Sequence, residues 1–282
     1  MKLRTRSSLA SLALALFTGG VADVRAHHGQ DFLLLEDYHL PAPGGGHLMG
    51  NFEWEKYSGR DEFGLAPSLM FGVLPRVALS VDVSFRDESD GFDYNSVMPA
   101  AHFQLTSPES DFPVKIALSV GYQFVDGAFA ADPAPSHEEE EDEHAEHGHE
   151  HGHHAREHAE EDAHDHSHTS SVHNHDSDAL QSRLILERDF GATKAVFNLI
   201  SVVRDGGGAD WGYAAGVRHK VLEQFAFGVE AIGDFESDGW HELVGGVYVE
   251  PVPSLTLKLG AGFGLTDATP DFTLRTGFIF RF

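Results

Sequence analysis

The chain has 282 residues, with 19 basic residues against 45 acidic ones, 20 histidines and no cysteine. Its net charge of −26 argues against nucleic-acid binding, because phosphate recognition needs a cationic surface. The lack of cysteine excludes disulfides, thiolate metal sites and cysteine nucleophiles.

Residues 1–26 are predicted to be a secretory signal peptide. Three basic residues precede an apolar run from Leu9 to Phe17, and Val24-Arg25-Ala26 fits a signal-peptidase site. The run is shorter than the roughly 20 residues of a membrane-spanning helix, so we expect cleavage near Ala26. No later stretch has about 18 consecutive apolar residues, and any membrane crossing would therefore require strands.

Residues 27–46 are predicted to form an N-terminal periplasmic segment, or an amphipathic plug that uses residues 32–35. Cleavage after Ala26 would leave His27 with a free amine beside its imidazole, and His28 adds a second ring. Such a group can chelate Cu(II), Ni(II) or Zn(II), with His39 and His47 within reach of a flexible linker. The sequence therefore predicts a metal site that includes His27 and His28.

From about residue 47 onward, apolar side chains fall on every second position of segments about ten residues long, which is the period of a β-strand. In one segment Leu255, Leu257 and Leu259 alternate with Thr256 and Lys258. Twelve strands are predicted in this way, at residues 47–57, 63–74, 76–86, 93–105, 113–125, 179–189, 195–204, 211–221, 225–235, 241–250, 255–265 and 272–282. An even number is typical of bacterial outer-membrane barrels.

The connections alternate between tight turns and longer acidic or glycine-rich loops, as in outer-membrane barrels. If both termini are periplasmic, the longer loops face outside. A secreted soluble β-sandwich is the alternative, but the second face of the strands is rich in Gly, Ser, Lys and Glu, and no predicted helix covers it. We therefore predict an all-β, membrane-spanning, antiparallel up-and-down β-barrel over residues 47–282.

In such a barrel the polar face lines the lumen, where charged groups either border a narrow aqueous path or pair with one another and close it. The residues predicted to point inward are Glu53, Glu55, Asp82, Lys115, Arg183, Glu187, Arg218, Lys220, Glu230, Glu242, Lys258, Arg275 and Arg281.

The chain ends in Thr276-Gly-Phe-Ile-Phe-Arg-Phe282. This alternating aromatic strand resembles the C-terminal assembly signal of Gram-negative outer-membrane β-barrel proteins. The resemblance implies an outer-membrane location, contact with outer-membrane lipid, and recognition of the strand ending at Phe282 by the barrel-assembly machinery.

The start His27-His-Gly-Gln-Asp-Phe, the short glycine-rich strands and the size are also similar to a family of outer-membrane transporters that includes phenol-degradation-pathway proteins. This second resemblance implies transport or channel activity by analogy.

Residues 131–178 do not fit the strand pattern and are predicted to be one long disordered extracellular loop. From residue 137 to 178 there are 15 acidic residues and a single basic one. Imidazole is a ligand for divalent transition metals, and neighbouring carboxylates can complete a coordination shell. We predict that the loop binds zinc foremost, with nickel, cobalt or copper(II) as alternatives. Its thirteen candidate ligands are His137, His144, His147, His149, His151, His153, His154, His158, His164, His166, His168, His173 and His175.

No nucleophile elbow, zinc-protease helix or phosphate-binding glycine motif occurs, so no enzyme activity is predicted. His102, His219 and His241 are isolated in the sequence. The sequence favours an outer-membrane barrel that concentrates divalent transition metal through the His-rich loop and passes it, or another small solute, through its lumen. The alternatives are a closed barrel that buffers metal at the surface and a general small-solute or hydrophobic-compound channel with an incidental His-rich loop.

Overall fold

A computed structural model describes residues 31–88, 91–126, 177–204, 208–235 and 239–282. It contains twelve strands: β1 (Gly46–Tyr57), β2 (Arg60–Leu74), β3 (Val77–Glu88), β4 (Gly91–Gln104), β5 (Lys115–Val125), β6 (Ala179–Phe190), β7 (Thr193–Arg204), β8 (Ala209–Leu222), β9 (Phe225–Asp234), β10 (His241–Val252), β11 (Leu255–Gly264) and β12 (Phe272–Arg281). All twelve predicted strands are present.

Each strand pairs antiparallel with its neighbours in the chain, and β1 pairs with β12 to close the sheet. The predicted closed, up-and-down antiparallel barrel is therefore confirmed. Within the described ranges, no helix is long and apolar enough to cross a membrane.

The alternating sequence pattern sorts side chains between the two faces of the wall. On β11, Leu257, Leu259 and Phe263 are exposed on the outside, whereas Thr256 and Lys258 are buried inside. Lipid requires an apolar outer face, and it also requires a closed ladder, because closure gives the backbone groups of β1 and β12 partners within the protein. The inward set contains the charged residues predicted for the lumen, including the fully buried Glu187, Glu230 and Glu242.

The two ends of the barrel differ. We call the end that carries the start of β1 and the last strand's Phe282 the terminal end. The turns at residues 75–76, 191–192, 223–224 and 253–254 lie there, together with the longer connection 105–114. The predicted alternation of tight turns and longer loops is therefore wrong in part, because strands β1 and β2, and likewise β3 and β4, extend to within two residues of each other at the opposite end. The opposite end, which we call the loop end, carries the connection from Val125 to Ala179 and hence the attachment points of the His-rich segment. The His-rich segment itself, apart from its last two residues, lies outside the described residues.

We predict that Leu259→Arg destabilises the barrel by about 2–4 kcal/mol, because a charge at mid-membrane on the outer face contacts hydrocarbon. Leu259 lies in the middle of β11 and is 53% exposed. The control is Leu265→Arg, just beyond the last residue of β11, with an expected cost of about 0–1 kcal/mol. Reversible unfolding in lipid vesicles measures both values, and equal destabilisation would contradict the placement of this face in lipid.

Candidate functional site: a lumen closed by its N-terminal segment

The lumen is occupied by residues 31–40, which we call the plug. Asp31 lies at the terminal end, the chain rises to Glu36 near the middle of the lumen, and it returns to Leu40 at the terminal end. Phe32, Leu35 and Tyr38 are at most 3% exposed and belong to a cluster of buried residues that includes inward-facing side chains of the wall. The plug therefore closes the terminal half of the barrel.

Polar side chains of the wall hold the plug backbone. The Glu230 carboxylate accepts hydrogen bonds from the backbone N–H groups of Leu33 at 2.9 Å and Leu34 at 2.7 Å. Asn198 accepts a bond from the Glu36 N–H at 3.0 Å and donates one to the Glu36 carbonyl at 2.9 Å. Because an irregular buried segment has no ladder of its own, these side chains supply the partners that its backbone needs.

Two further wall residues complete this set. Lys258 Nζ donates to the Phe32 carbonyl at 2.7 Å, and a Glu187 carboxylate oxygen accepts from the Tyr38 N–H at 3.2 Å. Thus the buried lumenal charges do not all pair with one another. Several of them bind the plug.

Ion pairs anchor the plug at the terminal end. Asp31 lies 3.0 Å from Arg218, 3.1 Å from Lys194 and 3.4 Å from Arg281. These cations come from β8, β7 and β12, so one carboxylate connects distant parts of the wall. Its loss would leave several buried cations without this partner, which is more costly than losing an exposed pair.

Glu36 anchors the apex of the plug. Its carboxylate lies 3.5 Å from His102 and 3.5 Å from Arg183. Burial by itself raises the pKa of Glu36, but the charge of Arg183 and the neighbouring His102 outweigh it and hold the pKa at about 2. Burial also raises the pKa of Asp37, and Lys194 and His39 lower it further than burial raises it.

The chain leaving the plug passes against Gly72 of β2. Gly44 donates to the Gly72 carbonyl at 2.9 Å, and Gly72 donates to the Gly45 carbonyl at 3.0 Å. A Cβ on Gly72 would lie 2.3 Å from the Ala42 carbonyl oxygen, so only glycine allows this approach. The Phe282 N–H in turn donates to the Gly46 carbonyl at 2.9 Å.

Beyond the plug, toward the loop end, the lumen is lined by acidic residues around Arg275. This guanidinium pairs with Glu55 at 3.2 Å, with Glu242 at 2.9 Å and with Glu53. Arg86 adds a second cation beside Glu53, Glu55 and Glu62, so the cluster holds four carboxylates and two guanidinium groups. The excess of acidic groups favours cations over anions.

A cavity of about 200 Å³ lies between the plug and the wall. Leu33 and Leu34 line it on the plug side, and Glu53, Ala66 and Arg275 are among the residues on the wall side. It therefore offers a mixed surface, with apolar atoms from the plug and a charged pair from the wall.

Among the described residues, Asp37, His39 and Glu187 form a group with the donor types of a metal site. His39 Nδ1 is 3.7 Å from each carboxylate. However, Lys194 Nζ lies 3.4 Å from the same nitrogen and 3.8 Å from Glu187. The lysine ammonium already supplies the cation here, so we assign the group to the ion pairs that hold the plug.

The predicted metal ligands themselves, His27, His28 and the thirteen histidines from His137 to His175, lie outside the described residues. Metal binding by them stays a prediction. His39 and His47, which the sequence placed within reach of the N-terminal site, lie in the plug and on β1, where His47 is buried.

Ser80, His102 and Glu36 are arranged like a hydrolase triad. Ser80 Oγ is 2.9 Å from His102 Nε2, and His102 Nδ1 is 3.5 Å from Glu36. Yet Glu36 belongs to the plug, and Ser80 is only 4% exposed. A substrate could reach Ser80 only after the plug leaves, and the plug takes Glu36 with it. The triad is therefore complete only when substrate cannot reach Ser80. We therefore interpret His102 as a contact of the plug through Glu36, and Ser80 as its hydrogen-bonding partner on the wall.

Sequence reasoning missed Asn198, which binds both backbone groups of Glu36. Asn198 is a fully buried polar residue on the inward parity of β7, between Val196 and Ile200. The signal available in the sequence was a polar residue among apolar ones on the inward face of β7. The hydrogen-bonding partner is 162 residues away in the chain, so the sequence could not name it.

No protein-family model matches the chain, and no curated protein matches it. Solved structures do resemble it. The KdgM porin superposes with a TM-score of 0.51 at 8% identity, covering 83% of this chain and 98% of the porin. An outer membrane channel from Pseudomonas putida F1 gives a TM-score of 0.49 at 12% identity, covering 87% of this chain and 98% of the channel. At these identities the KdgM likeness shows a shared barrel fold.

We predict that plug docking weakens as the pH falls from about 5 toward 2. Glu36 has its pKa lowered to about 2 in the folded state, below the roughly 4.3 of a free Glu side chain. The ionised Glu36 therefore stabilises the docked plug fully above the pKa of the free side chain. This stabilisation is lost as the pH falls toward the lower pKa of the folded state. The fraction of time that single barrels stay closed in planar bilayers at pH 7, 5 and 3 measures this.

Glu36→Gln is the control for this titration. It removes the charge that faces Arg183 and His102, so it should shorten the closed periods at pH 7 and reduce the change between pH 5 and 3. An unchanged closed fraction of the unmodified barrel between pH 5 and 3 would contradict the assignment to Glu36.

Proposed function

We propose that the protein is a Gram-negative outer-membrane channel for small solutes whose lumen is closed at rest by the plug. The observation that carries this proposal is the way the plug is held. Side-chain hydrogen bonds such as those of Asn198 and Glu230 hold its backbone, and ion pairs hold its ends. A neutral hydrogen bond such as those of Asn198 contributes only about 0.5–1.5 kcal/mol net, and one to a charged group such as Glu230 about 1.5–3 kcal/mol, because water can replace each of them. A plug of this kind can leave its site while the barrel wall stays intact.

The proposed orientation puts both termini and the plug in the periplasm and the loop end outside. The longest connection of the barrel, between Val125 and Ala179, lies at the loop end and supports this orientation, because outer-membrane barrels carry their long loops outside. A solute from outside would then meet the acidic cluster around Arg275 before it reaches the plug. Twelve strands enclose less space than the sixteen to eighteen of wide porins, so we expect small solutes, and cations or neutral molecules before anions.

We predict that Asn198→Ala increases the open fraction of single barrels in planar bilayers. The substitution removes both hydrogen bonds to Glu36, and about 1–3 kcal/mol of plug stabilisation would raise the equilibrium constant for opening about 5- to 150-fold. Gln181→Ala is the matched control, because Gln181 also faces the lumen but donates its hydrogen bond to Gln123 of the wall. If Asn198→Ala and deletion of residues 31–40 both leave the barrel closed, it is a closed barrel and the channel proposal is wrong.

We further propose that residues 131–178 capture divalent transition metal at the cell surface. Thirteen histidines between 137 and 175 support this, together with the acidic residues interspersed among them. Many alternative sets of three or four rings are available, so the loop should bind several ions with modest selectivity. The acidic cluster around Arg275 lies toward the same end of the barrel and would attract the captured cations.

Calorimetric titration of the purified barrel with Zn(II), Ni(II), Co(II) and Cu(II) tests this second function. We predict multi-site binding that weakens as the pH falls through about 6.5, because protonated imidazole is not a ligand. A variant lacking residues 137–175 should lose this multi-site binding. Equal weak binding by both proteins would make the His-rich loop incidental, with the channel proposal unaffected.

A further inference from the structure

Asp31 of the plug occupies a site that three cations of the wall form at the terminal end. Arg218 of β8, Lys194 of β7 and Arg281 of β12 all lie within four residues of the terminal end of their strands. Arg218 and Arg281 are 7% and 8% exposed, and Asp31 is 3% exposed. Because the three cations are fixed on the wall, the site that they form remains when the plug leaves.

Arg281 depends on Asp31 more than Arg218 does. Arg218 also pairs with Glu250 at 2.9 Å, whereas Arg281 donates its other hydrogen bonds to neutral oxygens, among them the Thr256 hydroxyl at 2.9 Å. Within the part of the chain that the structure describes, the buried Arg281 Nε has no hydrogen-bond partner. A phosphate group has more acceptor oxygens than a carboxylate and binds guanidinium groups in bidentate fashion. The site therefore suits a larger oxyanion than the carboxylate that it holds.

A second cavity, of about 140 Å³, leads to this site from the turn between β6 and β7. Asp31, Lys194 and Arg218 are among its lining residues, together with Lys220 and Gly191. Lys220 and Gly191 are exposed, so solvent enters this cavity at the terminal end. A small solute can therefore approach the cations while the plug is still in place.

The charge of this second cavity depends on the plug. Its lining contains three basic and three acidic residues: Lys194, Arg218, Lys220, Asp31, Asp189 and Glu250. Asp189 lies 2.7 Å from Lys115 and Glu250 lies 2.9 Å from Arg218, so both acids of the wall are paired. Asp31 is the acid that the plug contributes. When the plug leaves, the basic residues outnumber the acidic ones, and the site attracts an anion.

We propose that this site binds a small soluble oxyanion, of the phosphate or carboxylate type, which replaces Asp31 on the three wall cations and so releases the plug. The anion and Asp31 compete for the same donors, so a bound anion stabilises only the barrel whose plug has left. By mass action, the ratio of open to closed barrels should rise in proportion to one plus the anion concentration divided by its Kd. Guanidinium groups favour an oxyanion over chloride, because they bind two of its oxygens together.

The inference rests on the channel proposed above, and it adds a ligand that opens this channel from the plug side. The anion does not have to cross the barrel. From the loop end it would first meet the acidic cluster around Arg275, which disfavours anions, whereas at the terminal end the second cavity leads directly to the cations. The site therefore responds to anions on one side of the membrane.

The probe is inorganic phosphate, added in exchange for chloride at constant ionic strength to either side of single barrels in planar bilayers of phosphatidylcholine. We expect the ratio of open to closed time to rise with phosphate at the terminal end and to change less with phosphate at the loop end. The lipid headgroups carry phosphate in every measurement, so a response to the added ion identifies a soluble ligand. No response, or an equal response to added chloride, would overturn the anion site, because chloride acts by screening ion pairs.

Two arginine variants separate the site from the general charge of the terminal end. Arg281→Gln removes a charged donor, so about tenfold more phosphate should be needed for the same relative increase in open time. Arg188→Gln is the matched control. Arg188 lies near the terminal end of β6, but it is exposed on the outer face, with its guanidinium over the Phe190 ring. An equal phosphate response in the unmodified barrel and in Arg281→Gln would contradict the site.

Calorimetric titration with phosphate tests the site without any conductance. At pH 8, where free histidine side chains are neutral, Asp31→Asn should bind phosphate more tightly than the unmodified barrel, because no carboxylate competes. Asp31→Asn combined with Arg281→Gln should lose this gain. Phosphate binding by Asp31→Asn in a barrel that never conducts would support the site and contradict the channel. A conducting barrel whose Asp31→Asn variant binds phosphate no better than the double variant would overturn the site and leave the channel proposal intact.

Discussion

The structure depends on closure of the backbone hydrogen-bond ladder. In lipid every N–H and C=O of the wall needs a partner within the protein, and pairing of β1 with β12 supplies the last set. Closure fixes which face of each strand points inward. It thereby brings together polar side chains from all around the barrel in a narrow lumen, where they cannot remain without partners.

The plug supplies partners for the polar side chains of the lumen. Glu230, Asn198 and Lys258 are buried in the narrow lumen, and without the plug they would depend on water for partners, as would the irregular backbone of the plug itself. Each provides what the other lacks: carboxylate and amide oxygens meet N–H groups, and an ammonium meets a carbonyl. Water can replace these hydrogen bonds between plug and wall. The plug can therefore close the lumen at rest and still be released.

The wall and the plug therefore differ in the kind of change that they permit. The plug can be displaced along the axis without breaking the ladder, whereas strands of the wall cannot separate without exposing unpaired backbone groups to lipid. The cavity lies between the plug and the wall, with Leu33 from the plug and Ala66 from the wall among its lining residues.

The sequence by itself determined the number of strands, their limits to within about three residues, and which side chains face outward, because these follow from a local period of two. It also supplied the composition on which metal binding by residues 131–178 is predicted. Only the tertiary structure decided what fills the lumen. Asn198 meets Glu36 across 162 residues and Lys258 meets Phe32 across 226, and such partners depend on closure and register rather than on local pattern. A local rule can say that a residue points inward, but the identity of its partner is a property of the closed barrel.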